Sequence, residues 1–342
     1  MPKRIIIAGG GTGGHIFPAI AIANALIKID PETEILFVGA KGKMEMEKVP
    51  QEGYKIEGID IAGYNRSSLI KNIGLPLKLV KSFLHVKMII KHFKPDGVIG
   101  VGGYSSFPVL RYAQLKGIPT FIHESNSFAG KSNIYLGKKA TKIFVASDGM
   151  EKFFPGNKIE ISGNPVRHAI VNNLSVSKTE ALNYFGLRMD KKTLLIIGGS
   201  LGAKSINEAI ERDLEEVVQR NIQVIWQSGK PFYPKAKERA GNMQGVWVND
   251  FITRMEMAYT AADIIVSRAG AMAVAEISLV KKPVIFVPYP FAAEDHQTAN
   301  AKKLVEKNAA LLIKDSDTAE KLVPMILELA RNEQKQNELK SN

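Results

Sequence analysis

The sequence contains no cysteine, which excludes a disulfide framework, a thiolate metal site and a cysteine nucleophile. No apolar run is long enough to cross a bilayer. The opening MPKRIIIAGGG is cut by glycines well before a signal-peptide core would be complete. A further absence is local: from Ile61 to Pro95 there is no acidic residue. That strip interleaves Arg66, Lys71, Lys78, Lys81, Lys87, Lys91 and Lys94 with Leu69, Leu77, Phe83, Val86 and Ile90, among other apolar residues. Such a surface suits anionic lipid, with lysine stems lying along apolar side chains. A helix covering a sheet, its lysines merely solvated, is the plainer alternative. The formal net charge of +12 asks for a polyanionic partner. Nucleic acid is not expected, because no aromatic stacking platform or nucleic-acid motif accompanies the charge.

What is present is an ordered α/β chain. With 342 residues, 45% of them hydrophobic, it fits two domains. Ile5 to Ala8 reads as a buried strand, followed by Gly9-Gly10-Gly11-Thr12-Gly13-Gly14-His15 and a helix opening near Pro18. Gly9, Gly11 and Gly14 satisfy the dinucleotide fingerprint, so a dehydrogenase is one reading. Its companion carboxylate is missing: the second strand, from Glu34, ends in Gly39-Ala40-Lys41. His15 falls at the mouth of the loop beside a helix N-terminus, a setting that favours a neutral, proton-accepting ring. Local capping or packing by the same histidine is the alternative.

A second glycine turn, Gly102-Gly103-Tyr104, follows the strand ending at Val101, and His123-Glu124-Ser125-Asn126 follows the strand from Thr120. In an open parallel sheet these loops share the ligand-binding edge. Position 127 is Ser, which rules out H-E-x-x-H, and Ser125 rules out a P-loop ending in Gly130-Lys131-Ser132. The domain junction is placed at Gly163-Asn164-Pro165-Val166-Arg167, giving domains of 1–163 and 164–342. Arg167 there suits phosphate or carboxylate. Beyond it the pattern restarts with a strand from Thr193 and Gly198-Gly199-Ser200-Leu201-Gly202-Ala203.

The stretch from Ser267 to Gln297 is the most informative. An apolar strand runs into Ala269-Gly270-Ala271 and a helix whose first turn carries no bulky or charged side chain. Free N–H groups and the positive dipole end attract an anion there, and Glu276, one and a half turns on, could accept from a pair of sugar hydroxyls. A nucleoside diphosphate with a pinned ribose is the reading; an ordinary buried strand-turn-helix is the alternative. The polar end, Asn332 to Asn342, is expected to fray.

Taken together, GGGTGGHIFPA, HESN at 123–126, GNPVR at 163–167, GGSLGA at 198–203, SRAGAMAVAE at 267–276 and DHQTANA at 295–301 resemble the MurG family of glycosyltransferases over nearly the whole chain. The resemblance implies the GT-B fold, two Rossmann-like doubly wound parallel-sheet domains facing an interdomain cleft, with no metal or other cofactor required. It implies inverting transfer of N-acetylglucosamine from UDP-N-acetylglucosamine to undecaprenyl-pyrophosphoryl-muramoyl-pentapeptide, at the cytoplasmic face of the bacterial inner membrane, among cell-wall synthesis proteins. Carried over by position, donor contacts fall on Thr12, Gly13, Gly14, Asn126, Arg167, Ser200, Ile252, Ala271, Met272, Ala273, Val274, Ala275, Glu276 and Gln297. Ile252 would meet the uracil and Glu276 the ribose. His15 is the expected base, with Glu124 in reserve. Gly102, Gly103, Tyr104, Lys71, Lys78, Lys81 and Phe83 would face acceptor and membrane. Members of the family usually continue into a further helix, whereas this chain stops at Ser341-Asn342. An epimerase acting on UDP-N-acetylglucosamine and a non-catalytic polyanion-binding protein are the rival functions.

Overall fold

Short runs of branched apolar residues become strands buried on both faces. In β1 (Arg4–Ala8), Ile6 and Ala8 enter one core and Ile7 the other, as the two-residue repeat of a strand requires. The computed structural model describes residues 2–63, 74–166, 170–171, 176–199, 201–292 and 295–342. Arg167, Ser200 and Lys71, and with them the strip from 64 to 73, lie outside the described residues. Two units, Met1–Arg167 and His168–Asn342, each have their own core.

The first unit adds β2 (Glu34–Ala40), β3 (Lys55–Ile59), β4 (Gly97–Gly100), β5 (Thr120–Glu124), β6 (Lys142–Val145) and β7 (Ile159–Ile161). Among the described residues they form a parallel sheet in the order β3-β2-β1-β4-β5-β6-β7. Its helices are α1 (Gly13–Ile29), α2 (Glu45–Gln51), α3 (Leu75–Phe93), α4 (Ser106–Leu115) and α5 (Lys131–Gly137). The order reverses between β1 and β4, so the crevice of this doubly wound sheet opens between the loops that follow those two strands. They are the two glycine loops.

The second unit repeats the plan. β8 (Lys192–Ile197), β9 (Ile222–Gln227), β10 (Val246–Asn249), β11 (Ile264–Ser267), β12 (Val284–Phe286) and β13 (Leu311–Leu312) lie parallel in the order β10-β9-β8-β11-β12-β13. Its helices are α6 (Lys178–Tyr184), α7 (Lys204–Gln219), α8 (Tyr233–Ala240), α9 (Met255–Ala261), α10 (Ala271–Val280), α11 (His296–Val305), α12 (Thr318–Arg331) and α13 (Glu333–Ser341). Here the reversal falls between β8 and β11, at Gly198–Ala203 and at the Ala269-Gly270 turn.

Two expectations are corrected. The first helix begins at Gly13, with Pro18 inside it, so His15 belongs to the first helical turn rather than to the loop before it. The tail from Asn332 does not fray. Asn332 caps α13 by accepting from the Lys335 N–H at 2.8 Å, Leu339 is buried, and the Gln336 amide donates to the Leu329 carbonyl at 2.7 Å.

Candidate active site

In the first unit the two glycine loops lie back to back. A Cβ on Gly103 would come within 2.4 Å of the Gly10 carbonyl oxygen, and Gly103 holds a φ of 83° that side chains disfavour. His15 fits against this junction: its ring sits where a Cβ of Gly102 would be, 2.7 Å from Cε1. Its Nδ1 lies 2.9 Å from the Val101 carbonyl oxygen. A carbonyl only accepts, so Nδ1 carries the proton. Thr12 is the N-cap residue, yet its side chain makes no capping hydrogen bond. The N–H groups of Gly13 and Gly14 open the helix, in the positions that helix geometry leaves without an intrahelical acceptor. Tyr104 packs its ring against Gly11 and Gly63; burial first, and the charge of Glu45 second, push its hydroxyl above the ordinary value.

Glu124 is the last residue of β5. It is 3% exposed, and its carboxylate accepts from the Asn126 N–H (3.1 Å) and side-chain amide (3.2 Å), the Gly130 N–H (3.1 Å) and the Asn133 amide (2.9 Å). Four donors make it the clasp of the loop that presents Asn126. His123 is equally buried, and that burial lowers its pKa. The neutral ring donates from Nε2 to the Gly163 carbonyl (3.2 Å) and receives the Ser125 hydroxyl at Nδ1 (3.3 Å). The Asn164 amide donates to the Ser125 carbonyl, so the two motifs HESN and GNPVR are one stitched loop pair.

The second unit uses the same back-to-back device. A Cβ on Gly202 would lie 2.0 Å from the Ser228 carbonyl oxygen, and one on Gly229 2.2 Å from the Gly202 nitrogen. Gln227, at the end of β9, bridges the site: its amide donates to the Gly199 carbonyl (2.9 Å) and its oxygen accepts the Ile252 N–H (3.2 Å). Ile252 is 1% exposed, so its side chain belongs to the core. Gly270 caps α10 with an ordinary φ of −63°, and a Cβ there would meet nothing within 4 Å. Neither backbone strain nor crowding demands glycine at that helix start. Ala271, Met272, Ala273, Val274 and Ala275 then bring the helix to Glu276, which is 4% exposed and accepts from the Tyr259 hydroxyl at 3.0 Å. The Gln297 side-chain oxygen accepts the Tyr289 N–H at 2.9 Å. Arg268 lies under this site rather than in it. Its guanidinium donates to the Val287 and Pro288 carbonyls and to Asp315, fixing the β11–α10 turn to its neighbours.

On α3 the exposed side chains include Leu77, Val80, Leu84 and Met88, each more than half exposed. Their spacing puts them on one face together with Lys81 and Lys91. Phe83 lies toward the neighbouring helix. It turns inward, half buried, and meets the Phe107 ring of α4 edge-on at 6.5 Å, whereas Lys78 stays exposed.

The N-terminal domain of glycosyltransferase family 28 matches residues 5–145, and the C-terminal domain of the same family matches residues 193–342. The UDP-N-acetylglucosamine–N-acetylmuramyl-(pentapeptide) pyrophosphoryl-undecaprenol N-acetylglucosamine transferase of Parabacteroides distasonis is 51% identical over 97% of this chain and 90% of its own length. This chain belongs to the MurG family. The enzyme of the same name from Cytophaga hutchinsonii is 51% identical over 100% of this chain and 92% of its own. The crystal structure of Acinetobacter baumannii MurG is similar with a TM-score of 0.74 at 30% identity, covering 99% of this chain and 94% of that one. MurG-family membership makes the pair of Rossmann-like units a GT-B fold. A UDP-N-acetylglucosamine 2-epimerase structure matches with a TM-score of 0.66 at 14% identity, a likeness of fold alone.

Three residues that support the candidate groups escaped the sequence: Glu45 in the first unit, and Gln227 and Tyr259 in the second. All three hold other site residues by hydrogen bonds between segments distant in the chain, which no local motif records.

Proposed function

We propose that the protein transfers N-acetylglucosamine from UDP-N-acetylglucosamine to the 4-hydroxyl of undecaprenyl-pyrophosphoryl-N-acetylmuramoyl-pentapeptide, with inversion at the anomeric carbon. The observation that carries this is full-length identity near 50% to enzymes of that name. The acceptor oxygen attacks C1 of the sugar, the C1–O bond to the β-phosphate breaks, and the electron pair leaves with UDP. The growing charge on UDP is met by the open start of α10, whose dipole and N–H groups are fixed before the reaction begins. Glu276, steadied by Tyr259, receives the ribose hydroxyls, and the Ile252 carbonyl receives the uracil N–H. Arg167, Ser200 and Gln297 complete the nucleotide contacts.

The proton of the acceptor hydroxyl goes to Nε2 of His15, because the Val101 carbonyl keeps the other nitrogen protonated. Thr12, Gly13, Gly14 and Asn126 serve the transferred sugar; Gly102, Gly103 and Tyr104 serve the acceptor. The exposed face of α3 docks on the anionic cytoplasmic surface of the membrane, where the acceptor's lipid resides. In support, α3 presents apolar side chains and lysines together, and no helix among the described residues is long and apolar enough to cross a membrane. The test is incubation of the protein with labelled UDP-N-acetylglucosamine and the lipid-linked acceptor. Label passing into the lipid fraction with release of UDP supports the reading; formation of UDP-N-acetylmannosamine without acceptor would replace it with epimerisation.

A further inference from the structure

Glu45 opens α2 and is 1% exposed, a degree of burial that a carboxylate tolerates only when its oxygens are satisfied. One oxygen accepts the Gly11 N–H at 2.9 Å and the other accepts the Ala40 N–H at 2.9 Å. Two glycines are shaped around it: a Cβ on Gly10 would fall 2.3 Å from its carboxyl carbon, and one on Gly39 2.5 Å from its Cγ. In Rossmann-type sheets the N–H groups of the first glycine loop cradle a phosphate. In this chain the Gly11 N–H is already given to the protein's own carboxylate. A phosphate arriving there would have to displace that bond and face a negative charge at contact distance.

We infer that Glu45 is a positioning residue of the transferase reaction: it occupies the anion cradle of the first glycine loop, and by tying Gly11 to the end of β2 it sets the start of α1 and the place of His15. Gly11 is four residues from His15 and immediately precedes the N-cap Thr12, so a shift of the loop is a shift of the base. This inference rests on the function proposed above for its kinetic part and on the hydrogen bonds alone for its structural part.

The test uses the full chain with Glu45→Gln, which keeps the size but turns one acceptor into a donor facing an N–H. Three quantities are measured: amide hydrogen exchange, UDP affinity by calorimetry, and steady-state transfer. Exchange at Gly11 and Ala40 should rise about tenfold or more while the second unit is unchanged. UDP affinity should stay within about twofold, and kcat should fall about tenfold to a hundredfold, the scale of an ångström-sized misplacement. Gly39→Ala, which retains the carboxylate but crowds it, should reproduce the pattern, and Glu45→Asp should recover part of the loss. The inference is overturned if Glu45→Gln keeps the parent kcat, or if kcat and UDP affinity fall together with exchange rising throughout both units. Should the unaltered chain transfer no sugar, the proposed function fails, while exchange at Gly11 still decides the positioning role.

Discussion

The Nδ1 of His15 lies 2.9 Å from the carbonyl oxygen of Val101, the residue that ends the neighbouring strand's run before its own glycine turn. The carbonyl that follows β4 therefore fixes the Nδ1 proton of a histidine in the first turn of α1. Replacing His15 by Ala should lower kcat by about 10²- to 10⁴-fold, the usual contribution of a placed proton acceptor, with UDP affinity unchanged. A change in donor affinity alone would make His15 a binding residue.

Glu276 is predicted to act on the donor instead. Its carboxylate is buried and held by Tyr259, so Glu276→Ala removes a preplaced acceptor for two hydroxyls. The donor KM should rise by about tenfold to a hundredfold, corresponding to roughly 1.5–3 kcal/mol for hydrogen bonds to a charged group. Tyr259→Phe should show a smaller rise. Kinetics with UDP-N-acetylglucosamine varied at saturating acceptor decide the point, and an unaltered donor KM would remove Glu276 from the ribose.

Two glycines of the second unit should respond oppositely to Ala. Gly202 holds a φ of 76° and has no room for a Cβ, so Gly202→Ala should lower the melting temperature. Gly270 has an ordinary φ and open space beside it. Gly270→Ala should leave the melting temperature nearly unchanged while weakening UDP binding, because the added methyl stands at the helix start where the diphosphate approaches. Calorimetry and thermal unfolding on both variants separate the two outcomes; full UDP affinity in Gly270→Ala would count against that approach.

His123 predicts a pH dependence of stability. Burial lowers its folded pKa below the ordinary 6.5, so the unfolded chain takes up the proton first as the pH falls. The stability of the neutral ring is complete above the unfolded value and is lost as the pH drops through it toward the folded one. Unfolding measured from about pH 8 to about pH 5.5 should show a steeper loss for the parent chain than for His123→Asn, which cannot titrate. Equal slopes would contradict the assignment.

The exposed face of α3 gives a binding prediction. Lys81→Glu and Leu84→Asp should each weaken attachment to anionic vesicles, the lysine by about 1 kcal/mol per charge removed, and added salt should weaken attachment of the parent chain. Sedimentation with vesicles of neutral and anionic composition measures this. Attachment indifferent to both salt and Leu84 would leave α3 as a solvated helix.

Much of this was legible in the sequence because glycine loops after apolar runs have few other uses. Both switch-point loops and the helix that carries Glu276 fall where the motifs put them. Strands β3 (Lys55–Ile59) and β6 (Lys142–Val145) were not visible; Lys55–Ile59 alternates charge with apolar residues at a sheet edge. Pro18 suggested a helix start because proline favours a first turn, yet the glycines before it extend the helix backward. The polar tail concealed Leu339, one apolar residue sufficient to seat its helix on α12. Phe83 was read with its lysine neighbours, whereas helical phase turns it toward α4. Glu45 was hidden for another reason: a glutamate opening a charged helix reads as surface until the folded glycine loop is laid against it.

Hydrogen exchange of the whole chain with and without UDP tests the central claim most directly, namely that the second unit's open helix start holds the nucleotide. The account predicts slowed exchange at residues 249–252 and 270–276, with the loop at 9–14 unchanged by UDP. Protection of 9–14 with none at 270–276 would contradict it.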